Sequence, residues 1–414
     1  MRVLIYAIGS AGDVHPFLGV GSALQRRGHE VFIATSPYSE QSVVKSGLGF
    51  RPLGTVGDFE RLQADPNLWH PRKALGVVLR KAAAPTYQPI LDIARELHQP
   101  GNTVMLGSSL AFGARNAREL LGIPFASVHL APALFVSSYR QPEMHGAPFG
   151  QRAPKFLKSL QWSIAAKIVD RHLLPDLNRF RHENGLPPVR DLLRDWWHSP
   201  DRVIALFPDW FGPPQPDWLS QVRLTGFPLF DEKGIREIPA EVEAFLNAGE
   251  PPIIFTPGSA MAHGQAFFRE AVKALSRSGR RGILLSPFTR TIPSPLPENV
   301  RHFPYIPFSQ VLPRAAAIVY HGGVGTCSQA LQAGIPHLVQ PMAHDQLDTF
   351  SRIRDLGVGL ALSPAKFTEK RIVSTLDELL GNPDYKSRAV EISGTFDQDL
   401  WMRRTCELVE ALLK

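Results

Sequence analysis

Disulfides are excluded first. Cys327 and Cys406 are the only cysteines in a chain of 414 residues, too few for a stapled framework, and a reducing cytoplasm is the simplest setting for it. No stretch reaches the roughly 20 consecutive apolar residues that span a bilayer. The apolar run at residues 3–7 is soon broken by Gly9 and Asp13, so it reads as a buried first strand rather than a signal sequence. A net charge of +7 brings nucleic acid to mind, but a basic tail, zinc-ligand spacing and an aromatic-basic RNA motif are all missing, and no nucleic-acid partner is expected. Anionic diphosphates and peripheral contact with an inner membrane surface fit the charge equally well. The dinucleotide fingerprint G-x-G-x-x-G is also missing after the first strand, which argues against NAD there. No acidic cluster follows a strand of the second half. Asp397-Gln398-Asp399 instead opens the final helix and reads as a cap, so no metal site is expected.

What is there is ordinary for a folded chain: 44% hydrophobic and 20% charged residues. The length suits two domains of roughly 200 residues each. Residues 3–7 form a strand, 8–14 a loop, and a helix follows from Pro16 to Gly28 with Phe17, Val20, Gly21 and Leu24 on one face. Residues 30–34 form the next strand, which completes a βαβ unit with a ligand-facing loop after its first strand. Further strands are predicted at 103–107, with Ser108 and Ser109 at the end, at 124–128 before His129, and at 203–207. Residues 131–200 are the least regular and hold Phe135, Tyr139, Phe156, Leu160 and Trp162, followed by a helix expected through Arg181. Large apolar side chains in such an insertion either pack it onto its domain or receive a greasy ligand. His129 is open to the same two readings, a buried structural histidine or part of that wall.

A segment rich in glycine, proline and charge at 226–252 reads as a linker with one helix, and residues 253–256 start a second alternating set. Its centre is the run 315–320, followed by His321-Gly322-Gly323-Val324-Gly325-Thr326 and a helix stopped by Gly334 and Pro336. A glycine turn at a helix N-terminus leaves N–H groups bare for an anion, and the helix dipole favours negative charge there. The next strand ends at another polar loop, Met342-Ala343-His344-Asp345-Gln346. Two polar loops at the carboxyl ends of consecutive strands point to a ligand site rather than to packing alone.

These ordered motifs, with Tyr305-Ile306-Pro307-Phe308-Ser309-Gln310 ahead of them, resemble the donor signature of family-1 nucleotide-sugar glycosyltransferases. The opening Gly9-Ser10-Ala11-Gly12-Asp13-Val14-His15-Pro16 resembles the branch that holds sterol glucosyltransferases and the rhamnosyltransferase of rhamnolipid synthesis. The resemblance implies an α/β GT-B fold: two facing Rossmann-like parallel-sheet domains with the active site in the cleft between them. Residues 1–226 would bind acceptor, 227–396 would bind donor, and 397–414 would form a helix crossing back to the first domain. It implies a general base at Asp13, with His15 as runner-up. An aspartate there also suits a helix cap, and one residue can do both.

For the donor the resemblance implies Tyr305 and Ile306 at the nucleobase. Ser10, Gly12, Ser259, His321, Gly323, Gly325 and Thr326 would surround the diphosphate, and Asp345 and Gln346 would hold sugar hydroxyls. His129, Phe135 and Trp162 would line the acceptor side. Departures at Phe308, Val324, Gly325 and Gln329 leave room for a dTDP-sugar such as dTDP-rhamnose beside UDP-glucose. The expected reaction is an inverting, metal-independent transfer of a hexosyl group to a hydroxyl of a hydrophobic acceptor, with no cofactor beyond the donor. The alternatives are a nucleotide-sugar epimerase on the same fold, or a non-catalytic partner subunit.

Overall fold

The computed structural model describes residues 1–235 and 237–414. They fall into two compact units, the first made of Met1–Pro228 with Asp397–Lys414, the second of Leu229–Phe396.

The first unit is built on seven strands: β1 (Arg2–Tyr6), β2 (Glu30–Thr35), β3 (Gly49–Pro52), β4 (Thr103–Gly107), β5 (Phe125–His129), β6 (Arg202–Ala205) and β7 (Val222–Leu224). All are parallel, in the order β3-β2-β1-β4-β5-β6-β7. The second has six: β8 (Ile253–Thr256), β9 (Gly282–Leu285), β10 (Val300–Phe303), β11 (Ala317–Tyr320), β12 (His337–Val339) and β13 (Gly359–Ala361). These too are all parallel, in the order β10-β9-β8-β11-β12-β13. Every residue of β4, β5, β8, β9, β11 and β12 is buried, as expected of parallel strands covered on both faces. Leu4, Ile90, Phe112, Leu177 and Trp196 belong to the core on one side of the first sheet. Phe255, Phe268, Val319, Leu338 and Ile372 share a core in the second unit.

Both sheets reverse their winding once, between β1 and β4 in the first and between β8 and β11 in the second. Tyr6 stands level with Gly107 across the first reversal, and Thr256 with Tyr320 across the second. The loops leaving those paired strands therefore open at a switch point, where the connections part to opposite faces and leave a crevice.

The helix Ala11–Arg26 begins directly behind Ser10, five residues before the start expected at Pro16. Pro16 lies inside it and gives no N–H to the Gly12 carbonyl. The terminal helix Gln398–Glu410 packs in the first unit, capped by Asp397, whose Oδ1 accepts from Leu400 N at 2.9 Å. At its other end Glu410 accepts from Arg27 Nε at 2.6 Å and Nη2 at 2.8 Å, with His29 Nε2 2.9 Å away. The Arg27 hydrogen bond, helped by His29, holds the Glu410 pKa down to about 2 from its ordinary 4.5. A carboxylate depressed in the folded state stabilises it above the unfolded pKa and loses that contribution as pH falls through the folded value. Glu410→Gln is therefore expected to flatten the melting-temperature curve between about pH 4.5 and about 2. The effect is modest, because Arg27 and Glu410 are partly solvated. Among the described residues no helix is long and apolar enough to cross a membrane.

Candidate active site

At the first switch point the chain leaves β1 through Ala7, Ile8 and Gly9. Ile8 N donates to Ser108 Oγ at 3.2 Å, which ties this loop to the end of β4. Asp13 sits in the first turn of the helix, and its Oδ2 accepts from Ser10 N at 2.8 Å and Ser10 Oγ at 3.2 Å. Asp13 thus reaches back to the cap residue Ser10 as the acidic partner of a capping box, rather than serving as the cap itself. The carboxylate folds so tightly over Gly9, at φ +142°, that a side chain there would collide with it. Burial raises the Asp13 pKa above its ordinary 3.8, opposed by the Ser10 hydrogen bonds. One carboxylate oxygen is therefore held by Ser10, while Oδ1 receives neither of those bonds. Gly12 is exposed and His15 partly so.

The second switch point is organised around an imidazole. His321 follows β11 directly, and its ring is clasped between two glycine turns. A side chain at Gly258 would meet His321 Cε1 at 2.8 Å, and one at Gly323 would collide with Nε2. Burial, with His344 adding to it, lowers the His321 pKa to about 4, so the ring is neutral near pH 7. Gly323 is the cap residue of the helix Val324–Gln332, whose first turn contains Gly325 and Thr326. Ser259 lies in the loop after β8, partly exposed like Gly323, Gly325 and Thr326. Cys327 behind the loop is fully buried, and burial pushes its thiol up to about 12, so it is an unreactive packing residue.

The loop after β12 departs from what its letters suggest. Gln346 is buried, and its Oε1 accepts from Met342 N at 2.8 Å and Ala343 N at 3.1 Å. That oxygen shapes the loop. Asp345 occupies the cap position of the helix Gln346–Asp355 without a side-chain cap bond. His344, to which the sequence motifs assign no role, is exposed and adopts φ +58°, a left-handed conformation unusual for a side chain of its size. At the β10 end Tyr305 Oη donates to the Asp231 carbonyl at 2.5 Å, and Ser309 N donates to Asp231 Oδ2 at 2.6 Å. Tyr305 is partly exposed, Ile306 buried. Asp231 thus holds the candidate Tyr305 in place, although its surroundings read as linker.

The three acceptor candidates lie deeper than a binding wall requires. His129 is fully buried at the end of β5, with Nε2 2.9 Å from His198 Nδ1. Burial and then the nearby His198 lower its pKa well below normal. Phe135 stacks on Trp218 at 4.5 Å and on His198 at 5.6 Å, and Trp162 is 7% exposed. All three are buried, whereas Tyr139 and Phe156 of the same insertion stand exposed. His198 and Trp218 carried no spacing signal that could tie them to residues 60 or more positions away.

Residues 3–139 match the glycosyltransferase family 28 N-terminal domain. Residues 285–399 match the erythromycin biosynthesis protein CIII-like C-terminal domain. The O-mycaminosyltylonolide 6-deoxyallosyltransferase of Streptomyces fradiae is 28% identical over 99% of this chain and 97% of its own. The kitacinnamycin glycotransferase has a similar structure, with TM-score 0.75 and 21% identity over 100% of this chain and 99% of that one. So has the spinosyn rhamnosyltransferase SpnG complexed with thymidine diphosphate, with TM-score 0.68 and 17% identity over 100% of both chains. Matched at both ends by these models and over its whole length by glycosyltransferases, and folded into two parallel sheets with reversed winding, the chain is a glycosyltransferase of the GT-B fold.

Proposed function

We propose that the enzyme moves a hexosyl or deoxyhexosyl group, rhamnosyl or glucosyl, from a dTDP- or UDP-sugar to a hydroxyl of a hydrophobic acceptor. The observation that carries this reading is the tethered Asp13 carboxylate at one switch point, matched by the clasped neutral imidazole of His321 at the other. Asp13 belongs to the first unit and His321 to the second. Asp13 takes the proton of the acceptor alcohol as its oxygen attacks the anomeric carbon. The bond from that carbon to the phosphate oxygen breaks, and the diphosphate leaves with the electron pair. One displacement without a protein nucleophile inverts the anomeric centre. The growing charge on the diphosphate is met by backbone N–H groups after Gly323, the start of the helix Val324–Gln332, and His321.

Thymidine diphosphate bound to SpnG, a protein of similar fold, favours dTDP over UDP as donor nucleotide. A vancomycin aglycone glucosyltransferase and a sterol 3-beta-glucosyltransferase are both similar to this chain, and the acceptor proposed here is an aromatic aglycone, a sterol or a hydroxy-fatty acid. Thermal melts with each nucleoside diphosphate, followed by donor hydrolysis across UDP- and dTDP-sugars, test the reading. A larger melting shift with dTDP and turnover confined to dTDP-sugars are expected. No shift with either nucleotide, or interconversion of the sugar without transfer, would remove the proposal.

A further inference from the structure

The helix Lys155–Glu183 is built inside out over its first turns. Lys158 and Gln161 point inward and are 4% and 7% exposed. Lys158 Nζ donates to the carbonyls of Tyr139 at 2.8 Å and Gln151 at 3.1 Å. Gln161 Oε1 accepts from Phe149 N at 2.9 Å, and its Nε2 donates to Gln141 Oε1 at 3.0 Å. The polar residues are thus committed to holding the preceding loop. Meanwhile Phe156, Leu160, Ile164 and Ile168 stand outward, 70%, 52%, 54% and 51% exposed. Their i, i+4 spacing makes one continuous apolar stripe on a surface that a globular helix normally gives to polar groups.

The exposed charges within that stripe are cations. At about 100° per residue, Lys167 and Arg171 fall between the stripe residues, and both are exposed. Lys155 flanks the start of the helix, its Nζ 3.5 Å from the ring centroid of Tyr139, itself 41% exposed. The neighbouring helix Ala74–Val78, close enough that a side chain at Gly76 would meet His172 at 3.6 Å, adds exposed Leu75 beside exposed Arg72 and Lys73. No exposed Asp or Glu occurs within the outward stripe from Lys155 to Arg171.

We propose that this face docks on an anionic phospholipid surface, with Phe156, Leu160, Ile164 and Ile168 sunk among the acyl chains and Lys167 and Arg171 at the headgroups. An apolar stripe bounded by cations is the pattern of helices that lie in a membrane interface, where buried area and attraction to acidic lipids add. A second copy is the poorer occupant. Symmetric pairing of the same patch would oppose cations to cations. The proposal does not depend on the donor or acceptor chemistry, and its test reads binding rather than turnover.

The full chain is mixed with phosphatidylcholine vesicles and with vesicles that also contain phosphatidylglycerol, and the bound fraction is measured by flotation. Binding to the acidic vesicles alone is expected, weakening as salt rises. Lys167→Ala with Arg171→Ala should lower the partition coefficient about thirtyfold, from roughly 1 kcal/mol per basic residue at an acidic surface. Phe156→Glu with Ile164→Glu should abolish binding. Both variants should keep the native melting temperature and dTDP-induced shift, since these residues are exposed. Equal binding to both vesicle types, none to either, or variants that bind as the native chain does would overturn the proposal. So would a dimer in sedimentation velocity that Phe156→Glu dissociates.

Discussion

Asp13→Asn is expected to lower sugar transfer by about 10²- to 10⁴-fold, the usual contribution of a positioned general base, while dTDP still protects the protein as it does the native chain. Asparagine has nearly the same shape, and its carbonyl oxygen can still accept from Ser10 N, where Asp13 Oδ2 now sits at 2.8 Å. The helix start is thereby kept and basicity alone is lost. The native carboxyl titrates above its ordinary 3.8 because burial disfavours its charge, so the acid limb of kcat/KM should lie above that value. Ser10→Ala removes the 3.2 Å hydroxyl bond, which favours the ionised form. It should move that limb to higher pH. Linkage gives a second sign to check. A carboxyl whose folded pKa is raised makes the folded state less stable once it ionises, so Asp13→Asn should melt no lower than the native chain near pH 7. If Asp13→Asn transfers at the native rate and His15→Ala does not, the base is His15.

How much of this was legible follows from where each signal sits. The inner strands announce themselves because both faces are buried, so 103–107 and 253–256 read as largely apolar runs. The edge strands β3, β7 and β13 escape notice: Gly49-Phe50-Arg51-Pro52 has neither alternation nor length and is a strand only because β2 offers it partners. The helix Lys155–Glu183 reads as helical only after Trp162, through Arg181, and its first turns hide for another reason. With Lys158 inward and Phe156 outward, the period of 3.6 carries no single apolar face. Motif loops at the switch points were readable because glycine and polar residues cluster there in sequence. Asp231 beside Tyr305 and His198 beside His129 were not, since those pairings are 74 and 69 positions long. Gln346 stands at the loop, its Oε1 used by the backbone of Met342 and Ala343, a contact no motif spacing announces.

His321→Ala should cost about 10²- to 10³-fold in kcat, the range seen when one donor to a developing anion is removed. Burial lowers the free His321 pKa to about 4, so on the proposed reading the imidazole meets the leaving diphosphate as a neutral N–H donor. Two consequences separate this from simple charge pairing. The rate should show no His321 titration between about pH 5 and 8, where an unperturbed histidine changes charge. The loss in dTDP affinity should also be much smaller than the loss in kcat/KM, because negative charge on the departing oxygen grows as the anomeric bond breaks, and only interactions that strengthen then accelerate the step. The glycines on either side of the ring make the experiment clean in one respect. Gly258 and Gly323 contribute no side chain that could swing into the space left by the imidazole, so water enters instead, and a mobile water is a poorer donor than a clasped ring. Should dTDP affinity fall by the full factor lost from kcat/KM, His321 binds the diphosphate equally before and during transfer, and the catalytic role assigned to it is wrong.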